Sequence, residues 1–212
     1  MNEISPSAKQ TLDSLGHIEV PRSWPDLSRL PIYGPYLYLD GSTYKGNYVN
    51  QLRTGWGIAI CKNGSVYEGY WKDNRYHGWG RLIHQDGTSY TGHWTDSKQH
   101  GKGIEIWADG TIYDGDFIQN VKEGHGLLKM KNGNSYDGEF KNNKIHGKGS
   151  FNWHTYNQFS GDWVDGKMEG KGFYMWADGR SYEGGYLNNK RHGKGKFCWT
   201  DGRIYQGEWK DG

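Results

Sequence analysis

The chain has 212 residues and a formal net charge of +2, and only 33% of its residues are hydrophobic. An ordinary domain has about 45–50% apolar residues, so this composition excludes a thick aliphatic core. The aromatic content of 16% is too high for a disordered chain. The small net charge excludes a strong global field that would demand nucleic acid as a partner.

The N-terminal residues MNEISPSAKQTLDSLGHIEV lack a basic segment followed by an apolar one, and no run of 18 or more apolar residues follows. The sequence thus shows no secretion or membrane-spanning signal. Cys61 and Cys198 are separated by about six repeats, too far for a disulfide, so we expect free thiols in a reducing compartment. These features predict a cytoplasmic location.

Residues 1–31 form a non-repetitive leader that contains four of the five prolines. Ser5 as N-cap, Pro6 at the first helical position and Gly16 past the end predict a short helix over 5–15, followed by a Pro-rich connector. Two interpretations stay open: a frayed leader, or a segment that caps the first end of the array with Trp24.

Residues 32–212 form an array with a fixed period of 23 residues, typical of a repeat protein in which each unit contacts its neighbours. The aromatic-x-Gly-x-aromatic core of each unit begins at Tyr44, Tyr67, Tyr90, Tyr113, Tyr136, Phe159, Tyr182 and Tyr205.

Each unit is predicted to contain two strands. Asp-Gly or Asn-Gly pairs such as Asn63-Gly64 separate the units and are a strong hairpin signal, whereas a looser connection follows inside each unit, as at Asn50. Such short connections require antiparallel neighbours. The fold prediction is therefore all-β: an open, elongated, twisted antiparallel meander of about eight repeats.

Glycines and aromatic residues share one face of the predicted sheet, since Tyr44, Gly46 and Tyr48 lie two residues apart. A strand glycine leaves room for a ring to lie across the backbone. The pattern predicts one aromatic face, shaped as a long groove, and one polar face. Uncovered apolar surfaces of this size usually mark an interaction site.

The spacing of Y-x-G-x-W, H-G-x-G and D-G in eight in-phase copies resembles the MORN (membrane occupation and recognition nexus) repeat, over about residues 34–212. The resemblance implies an open antiparallel β-array whose groove binds peptide segments. It also implies roles in cytoskeletal and ciliary scaffolds, at membrane junctions, or beside a lipid kinase or methyltransferase.

Our first functional hypothesis is a non-catalytic scaffold that holds a segment of a partner protein in the aromatic groove, in a ciliary or cytoskeletal setting. The predicted groove residues are Tyr48, Trp71, Trp94, Trp107, Phe117, Phe140, Trp153, Trp163, Trp176 and Trp199.

Two alternatives stay open. An adaptor for anionic phospholipids at a membrane would use a row of cations: Lys148, Lys171, Lys190, Arg191 and Lys194. The array could instead be the regulatory part of a larger lipid kinase or methyltransferase.

Candidate chemistry is sparse. One column of the repeat reads Thr54, His77, His100, Glu123, His146, Glu169 and His192. Neighbours in a column should be about 10 Å apart, too far to share a zinc ion, so we expect these residues to cap turns or pair with polar groups of adjacent units. No nucleophile–base pair stands apart from the repeat, and we predict no catalytic residue, metal or cofactor.

The repeat pattern fails at two places. Thr155-Tyr156 replaces Asp-Gly, which predicts a changed hairpin, a partner contact or drift. The chain also stops at Asp211-Gly212, halfway through a unit. This predicts either a fragment of a longer protein or an unpaired last strand, for which end-to-end homo-association is a further partner hypothesis.

Overall fold

The computed structural model describes Asp13, Gly16, Ile18 and residues 30–212. The predicted leader helix over 5–15, apart from Asp13, and most of the connector lie outside these described residues. The chain divides into two compact units: Met1–Gly110 with Phe117–Asn120, and Thr111–Asp116 with Val121–Gly212. They are called the N-terminal unit and the C-terminal unit below.

Residues 30–212 contain sixteen β-strands, and within each unit every strand pairs antiparallel with the next strand of the chain. The strands are β1 Tyr33–Leu37, β2 Thr43–Val49, β3 Leu52–Ile60, β4 Val66–Lys72, β5 Arg75–Ile83, β6 Ser89–Thr95, β7 Lys98–Ile106, β8 Ile112–Ile118, β9 Val121–Lys129, β10 Ser135–Lys141, β11 Lys144–Asn152, β12 Gln158–Val164, β13 Lys167–Met175, β14 Ser181–Leu187, β15 Lys190–Cys198 and β16 Ile204–Trp209. The predicted all-β meander of repeats is confirmed. No helix among the described residues is long and apolar enough to cross a bilayer.

Each repeat pairs a seven-residue strand with a nine-residue strand, and the extra residues of the longer strand bulge out of the ladder. In β4 and β5, Gly69 lies opposite Gly80 and Trp71 lies opposite Tyr76. A step of two residues along β4 is therefore matched by a step of four residues along β5. The bulge in β5 contains Gly78, whose φ of 65° suits glycine. The histidine–glutamate column of the sequence lies in this bulge.

The two kinds of turn are the reverse of the prediction. Inside each repeat, Asn50 and Gln51 both have positive φ, 50° and 65°, so the connection predicted to be looser is a tight two-residue type I′ turn. Between repeats, Gly64 N–H donates to Cys61 O and Cys61 N–H donates to Ser65 O, at 2.9 and 2.8 Å. This Asn-Gly connection is a three-residue turn that ends in a left-handed glycine.

The substituted turn at Thr155-Tyr156 keeps the same hydrogen bonds as the others. Tyr156 N–H donates to Trp153 O, and Trp153 N–H donates to Asn157 O, both at 2.9 Å. The predicted change in hairpin geometry is therefore wrong. The backbone instead holds Tyr156 at a φ of 67°, in the left-handed region that normally requires glycine.

The core lies on the aromatic face, where each tyrosine ring covers a pair of glycines. A Cβ added to Gly57 would lie 2.3 Å from Tyr44 Oη, and one added to Gly80 would lie 2.2 Å from Tyr67 Oη. The hydroxyl of Tyr44 donates to Asn47 O at 3.0 Å, which satisfies the phenol inside the core. The predicted pairing of glycine columns with rings is confirmed by these contacts.

The opposite face was predicted to be polar, but in the N-terminal unit it is buried and partly apolar over β4 and β5. Val66, Tyr70 and Ile83 are 7% exposed or less, and Glu68 and Arg81 are each 4% exposed. Described leader residues contact this face: Arg81 donates to Gly16 O, Ile18 N–H donates to Glu68 Oε2 at 3.4 Å, and the Asn47 amide donates to Leu30 O and Pro31 O. The leader therefore contacts the face opposite the aromatic core.

Candidate functional site

The first aromatic column of the predicted groove is buried core. Its rings pack between aromatic rings of two successive repeats. Trp71 meets Tyr44 and Tyr67 edge to face, with ring centroids 5.2 and 5.1 Å apart. Trp163 meets Tyr136 and Phe159 in the same way, at 5.7 and 5.0 Å. Trp71, Trp94, Phe117, Phe140 and Trp163 are 1–5% exposed. They hold neighbouring repeats together and offer a partner almost no surface.

Tyr48, at the start of this column, is half-buried. Its hydroxyl shares a hydrogen bond of 2.7 Å with Tyr38 Oη. Its ring contacts those of Tyr33, Tyr36 and Tyr44 edge to face. It belongs to an aromatic cluster of the first repeat.

The second aromatic column is accessible and runs as a continuous ladder through the C-terminal unit. Successive ring centroids lie 4.5, 5.4, 4.5, 5.4 and 4.6 Å apart. Five of the six rings are half-buried, and Phe197 is buried. We call this surface the aromatic ladder; its residues are Phe151, Trp153, Tyr174, Trp176, Phe197 and Trp199.

The aromatic ladder combines three tryptophans predicted from the sequence with three residues that the prediction missed. Phe151, Tyr174 and Phe197 each lie two residues before a predicted tryptophan, so they project from the same face of the same strand. That alternation was the signal that could have found them. The remaining predicted tryptophan, Trp107, is half-buried in the N-terminal unit, where Glu105 takes the equivalent position.

Arg191 lies against the aromatic ladder from the start of β15. Its guanidinium carbon is 4.3 Å from the ring centroid of Trp209, and 5.5 and 5.9 Å from those of Phe197 and Trp176. These distances fit cation–π attraction. A cavity of about 350 Å³ lies beside Arg191 and is also lined by Met168, Tyr174, Trp176, Tyr186 and Lys190.

The N-terminal unit repeats this arrangement with fewer rings. Arg53 lies 4.4 Å from the Trp71 ring, beside a cavity of about 680 Å³ lined by Trp71, Tyr76, Leu82 and His84 among others. Ala59 and Cys61 take the places that Phe197 and Trp199 have in the C-terminal unit. The ladder of rings is thus a property of the C-terminal unit.

A model of the MORN repeat family matches this chain over residues 67–89, 90–112, 113–135, 136–158, 159–179, 182–202 and 205–212, more than half of its length. The chain belongs to the MORN repeat family. The matches begin at the second predicted unit, and the unit at Tyr44 lies outside them. MORN repeats form repeat-protein scaffolds, and this chain is therefore a repeat-protein scaffold.

Comparisons with solved structures found only distant similarity. The TCP domain of Drosophila melanogaster SAS-4 (dCPAP), solved in complex with a proline-rich motif of Ana2 (dSTIL), aligns with a TM-score of 0.46 and 12% identity over 92% of this chain and 99% of that chain. The TCP10 domain of Danio rerio CPAP aligns with a TM-score of 0.32 and 11% identity over 82% and 92%. A comparison with curated protein sequences found no significant match.

Three non-histidine members of the histidine–glutamate column cap turns of the MORN repeats, whereas Nδ1 of His77, His146 and His192 is buried with no hydrogen-bond partner among the described residues. Glu123 and Glu169 accept the N–H groups of Asn142 and Asn188, each at 2.9 Å, and Thr54 accepts that of Asp73 at 3.2 Å. Turn capping was the expected role of these residues. No group of three or more metal-ligating side chains occurs in the part of the chain that the structure describes.

The five cations of the lipid hypothesis do not share one surface of the MORN array. Lys148, Lys171 and Lys194 project from the face opposite the aromatic core, and Lys148 is paired with Asp162 at 2.9 Å. Arg191 instead lies over rings of the aromatic face, and Lys190 lies at the neighbouring turn. A flat membrane could not meet both faces at once.

The buried tyrosines are structural donors. Burial raises the pKa of Tyr67 well above its usual value, and it also raises the pKa values of Tyr44, Tyr90 and Tyr136. Each stays protonated at neutral pH and donates to a backbone carbonyl, as Tyr136 does to Glu139 O at 3.1 Å. These phenols support the fold rather than acid–base chemistry.

Proposed function

We propose that this MORN protein is a non-catalytic scaffold that holds a segment of a partner protein across the aromatic ladder. The observation that carries the proposal is the continuity of the ladder: six rings in contact, five of them half-buried, run beside a cavity and the Arg191 guanidinium. Accessible aromatic and arginine side chains are the residue types that dominate binding energy at protein interfaces.

The ladder suits a peptide because its rings are already ordered. Trp176 is packed between Tyr174 and Phe197, so binding would fix few additional side-chain rotamers. The cavity beside Trp176 could take one apolar or proline side chain, with Lys190 and Arg191 at its rim for a carbonyl or carboxylate. This chemistry favours an extended segment with apolar residues at alternating positions.

The five cations that were predicted to bind lipid are divided between two faces of the sheet. This division supports a protein partner over a lipid surface. Lipid contact and end-to-end homo-association stay predictions. So do a cytoskeletal or ciliary setting and a membrane-peripheral location, which rest on the family resemblance.

Site-specific photo-crosslinking in the native cell tests the proposal. The photo-reactive residue p-benzoyl-phenylalanine replaces Trp153, Trp176 or Trp199 on the ladder. Tyr156, an aromatic residue that is 82% exposed at a hairpin outside the ladder, is the matched control position. We expect the ladder positions to form one discrete adduct that Tyr156 does not form. Equal adducts from all four positions, or none from the ladder, would contradict the proposal.

A further inference from the structure

A second concave surface lies on the face opposite the aromatic core, in the C-terminal unit. It is a cavity of about 970 Å³ over β13 to β16, lined by Lys171, Phe173, Glu183, Lys194, Lys196 and Glu208 together with glycines that include Gly185 and Gly193. None of the residues that build the aromatic ladder lines it. The cavity therefore needs a separate explanation.

The cavity lies where one repeat lacks a carboxylate that the three preceding repeats have at Asp116, Glu139 and Asp162. Earlier in the unit, an acidic side chain accepts a backbone N–H from the bulge of the next strand: Asp116 from His125 at 3.2 Å, Glu139 from Lys148 at 3.2 Å, and Asp162 from Lys171 at 3.0 Å. The next residue in this column is Gly185, which has the same place in the bulged pair of strands, relative to Lys194, that Glu139 has relative to Lys148.

The carboxylate is missing from the space beside Gly193, although the Cβ position of Gly185 is itself filled by the His192 backbone oxygen. A Cβ added to Gly147 or Gly170 would lie 2.3 or 2.7 Å from the carboxylate of Glu139 or Asp162, but one added to Gly193 would meet nothing within 4 Å. Gly185 has no side chain, and no other described side chain accepts the Lys194 N–H. This donor faces the cavity in a position that, three times in the same unit, binds a carboxylate.

The same face already holds a chain segment in the N-terminal unit. There Arg81 donates to Gly16 O, and Glu68 accepts Ile18 N–H at 3.4 Å. An acid and a base that are paired across two strands thus bind one carbonyl and one N–H of the leader backbone.

Glu183 and Lys196 reproduce this acid–base pair in the cavity. They are directly opposed in β14 and β15, as Glu68 and Arg81 are in β4 and β5. The two preceding repeats of the unit have Asp137 opposite Ser150 and Ser160 opposite Phe173. Neither Glu183 nor Lys196 forms an ion pair among the described residues, so both are available to a ligand.

We propose that this cavity binds an extended segment of a partner protein, with an aspartate or glutamate side chain of that segment accepting the Lys194 N–H. Glu183 and Lys196 bind the backbone of the segment as Glu68 and Arg81 bind the leader. Three lysines against two glutamates give the cavity a cationic excess that favours the acidic side chain. This inference depends on the proposed scaffold function in one respect: the carboxylate is supplied by a partner protein.

Amide NMR of the ¹⁵N-labelled full chain tests the site. The probe is the peptide acetyl-Gly-Glu-Gly-amide, compared with acetyl-Gly-Gln-Gly-amide and with inorganic phosphate. The amides of Lys148 and Lys171 are internal controls because Glu139 and Asp162 already cap them. We expect the glutamate peptide to shift the Lys194 amide in a saturable way, with little effect of the glutamine peptide and no shift at the two controls.

Three results would overturn the inference: a Lys194 amide that the glutamate peptide does not move, parallel movement of all three amides, or a response to phosphate in place of the peptide. Lys196→Ala should weaken the response at Lys194 several-fold, whereas Lys141→Ala, at an exposed position outside the cavity, should not. Because the ladder lies on the other face, failed crosslinking there with an intact Lys194 response would reject the ladder proposal alone.

Discussion

The indole N–H of Trp163 donates to the backbone oxygen of Gly149 at 3.1 Å, in a repeat where the ring of Tyr136 covers the same glycine. Trp71, Trp94 and Trp209 form the same bond with Gly57, Gly80 and Gly195. Each glycine therefore meets one ring from its own repeat and a second from the next repeat. This relationship explains how a chain with few aliphatic residues builds a core.

Gly149→Ala should destabilise the protein strongly, because the new Cβ would lie 2.2 Å from Tyr136 Oη and 2.5 Å from its ring. Overpacking of this kind costs about 1–3 kcal/mol and occasionally more. Urea unfolding followed by tryptophan fluorescence measures the loss. Gly202→Asn is the control: nothing lies within 4 Å of that turn position, and asparagine tolerates its positive φ of 87° better than most residues, so only a smaller backbone cost is expected. Equal unfolding midpoints for the two variants would contradict this packing.

Tyr156→Gly should stabilise the protein by about 1 kcal/mol, because it removes a side chain from a left-handed backbone position. Tyr156→Ala keeps the Cβ and should change the stability little, so it separates backbone strain from loss of the ring. Thermal unfolding compares the three proteins. An alanine variant as stable as the glycine variant would show that the strain is not at this residue.

Glu68→Gln should lower the free energy of unfolding by about 3–5 kcal/mol. In the wild type, Glu68 Oε2 lies 3.2 Å from the buried Arg81 guanidinium, and the variant leaves that guanidinium without its charged partner. Burial lowers the pKa of Arg81 while Glu68 raises it, in keeping with a guanidinium whose carboxylate partner among the described residues is Glu68. Glu183→Gln, at the equivalent exposed position, is the control and should be nearly neutral. Thermal unfolding that shows equal effects for both would contradict the account of the leader-covered face.

Acidification should remove a stabilising contribution of Asp162. The Lys171 N–H, followed by the Lys148 ammonium, lowers the pKa of Asp162 in the folded chain. A lowered folded pKa means that the contribution is complete above the unfolded value of about 3.9 and is lost as the pH falls through the folded pKa. The stability difference between the wild type and Asp162→Asn should therefore shrink between pH 7 and pH 3 in urea titrations. A difference independent of pH would exclude this charge effect.

The repeat and its strands follow directly from the sequence, because period-2 alternation and turn pairs recur in every unit. The turn types do not follow, since Asn50-Gln51 and Asp73-Asn74 adopt the type I′ geometry that Asn-Gly signals more strongly. Inter-repeat contacts also require structure: Trp163 and Trp176 share the aromatic face of the C-terminal unit, yet only Trp163 is enclosed between rings of successive repeats, Tyr136 and Phe159. Alternation alone cannot distinguish a buried ring from an accessible one.

The role of the leader could not be predicted from periodicity, because it lies outside the repeat. Glu68 and Arg81 fit the repeat as ordinary polar positions, and only their contacts with Ile18 and Gly16 show that a chain segment lies on them. The missing carboxylate at Gly185 is visible in the sequence as a break after the acidic residues Asp116, Glu139 and Asp162. That this break leaves the Lys194 N–H without an acceptor follows only from the bulge of β15 in the structure.

The most direct test of the scaffold function uses the segment that crosslinks to the aromatic ladder. Its affinity as a synthetic peptide is measured by isothermal titration calorimetry against the wild type, Trp176→Ala and Tyr156→Ala. We predict that Trp176→Ala weakens binding at least tenfold, a loss of about 1.4 kcal/mol, while Tyr156→Ala binds like the wild type. Equal affinities for all three folded proteins would contradict a partner site on the ladder.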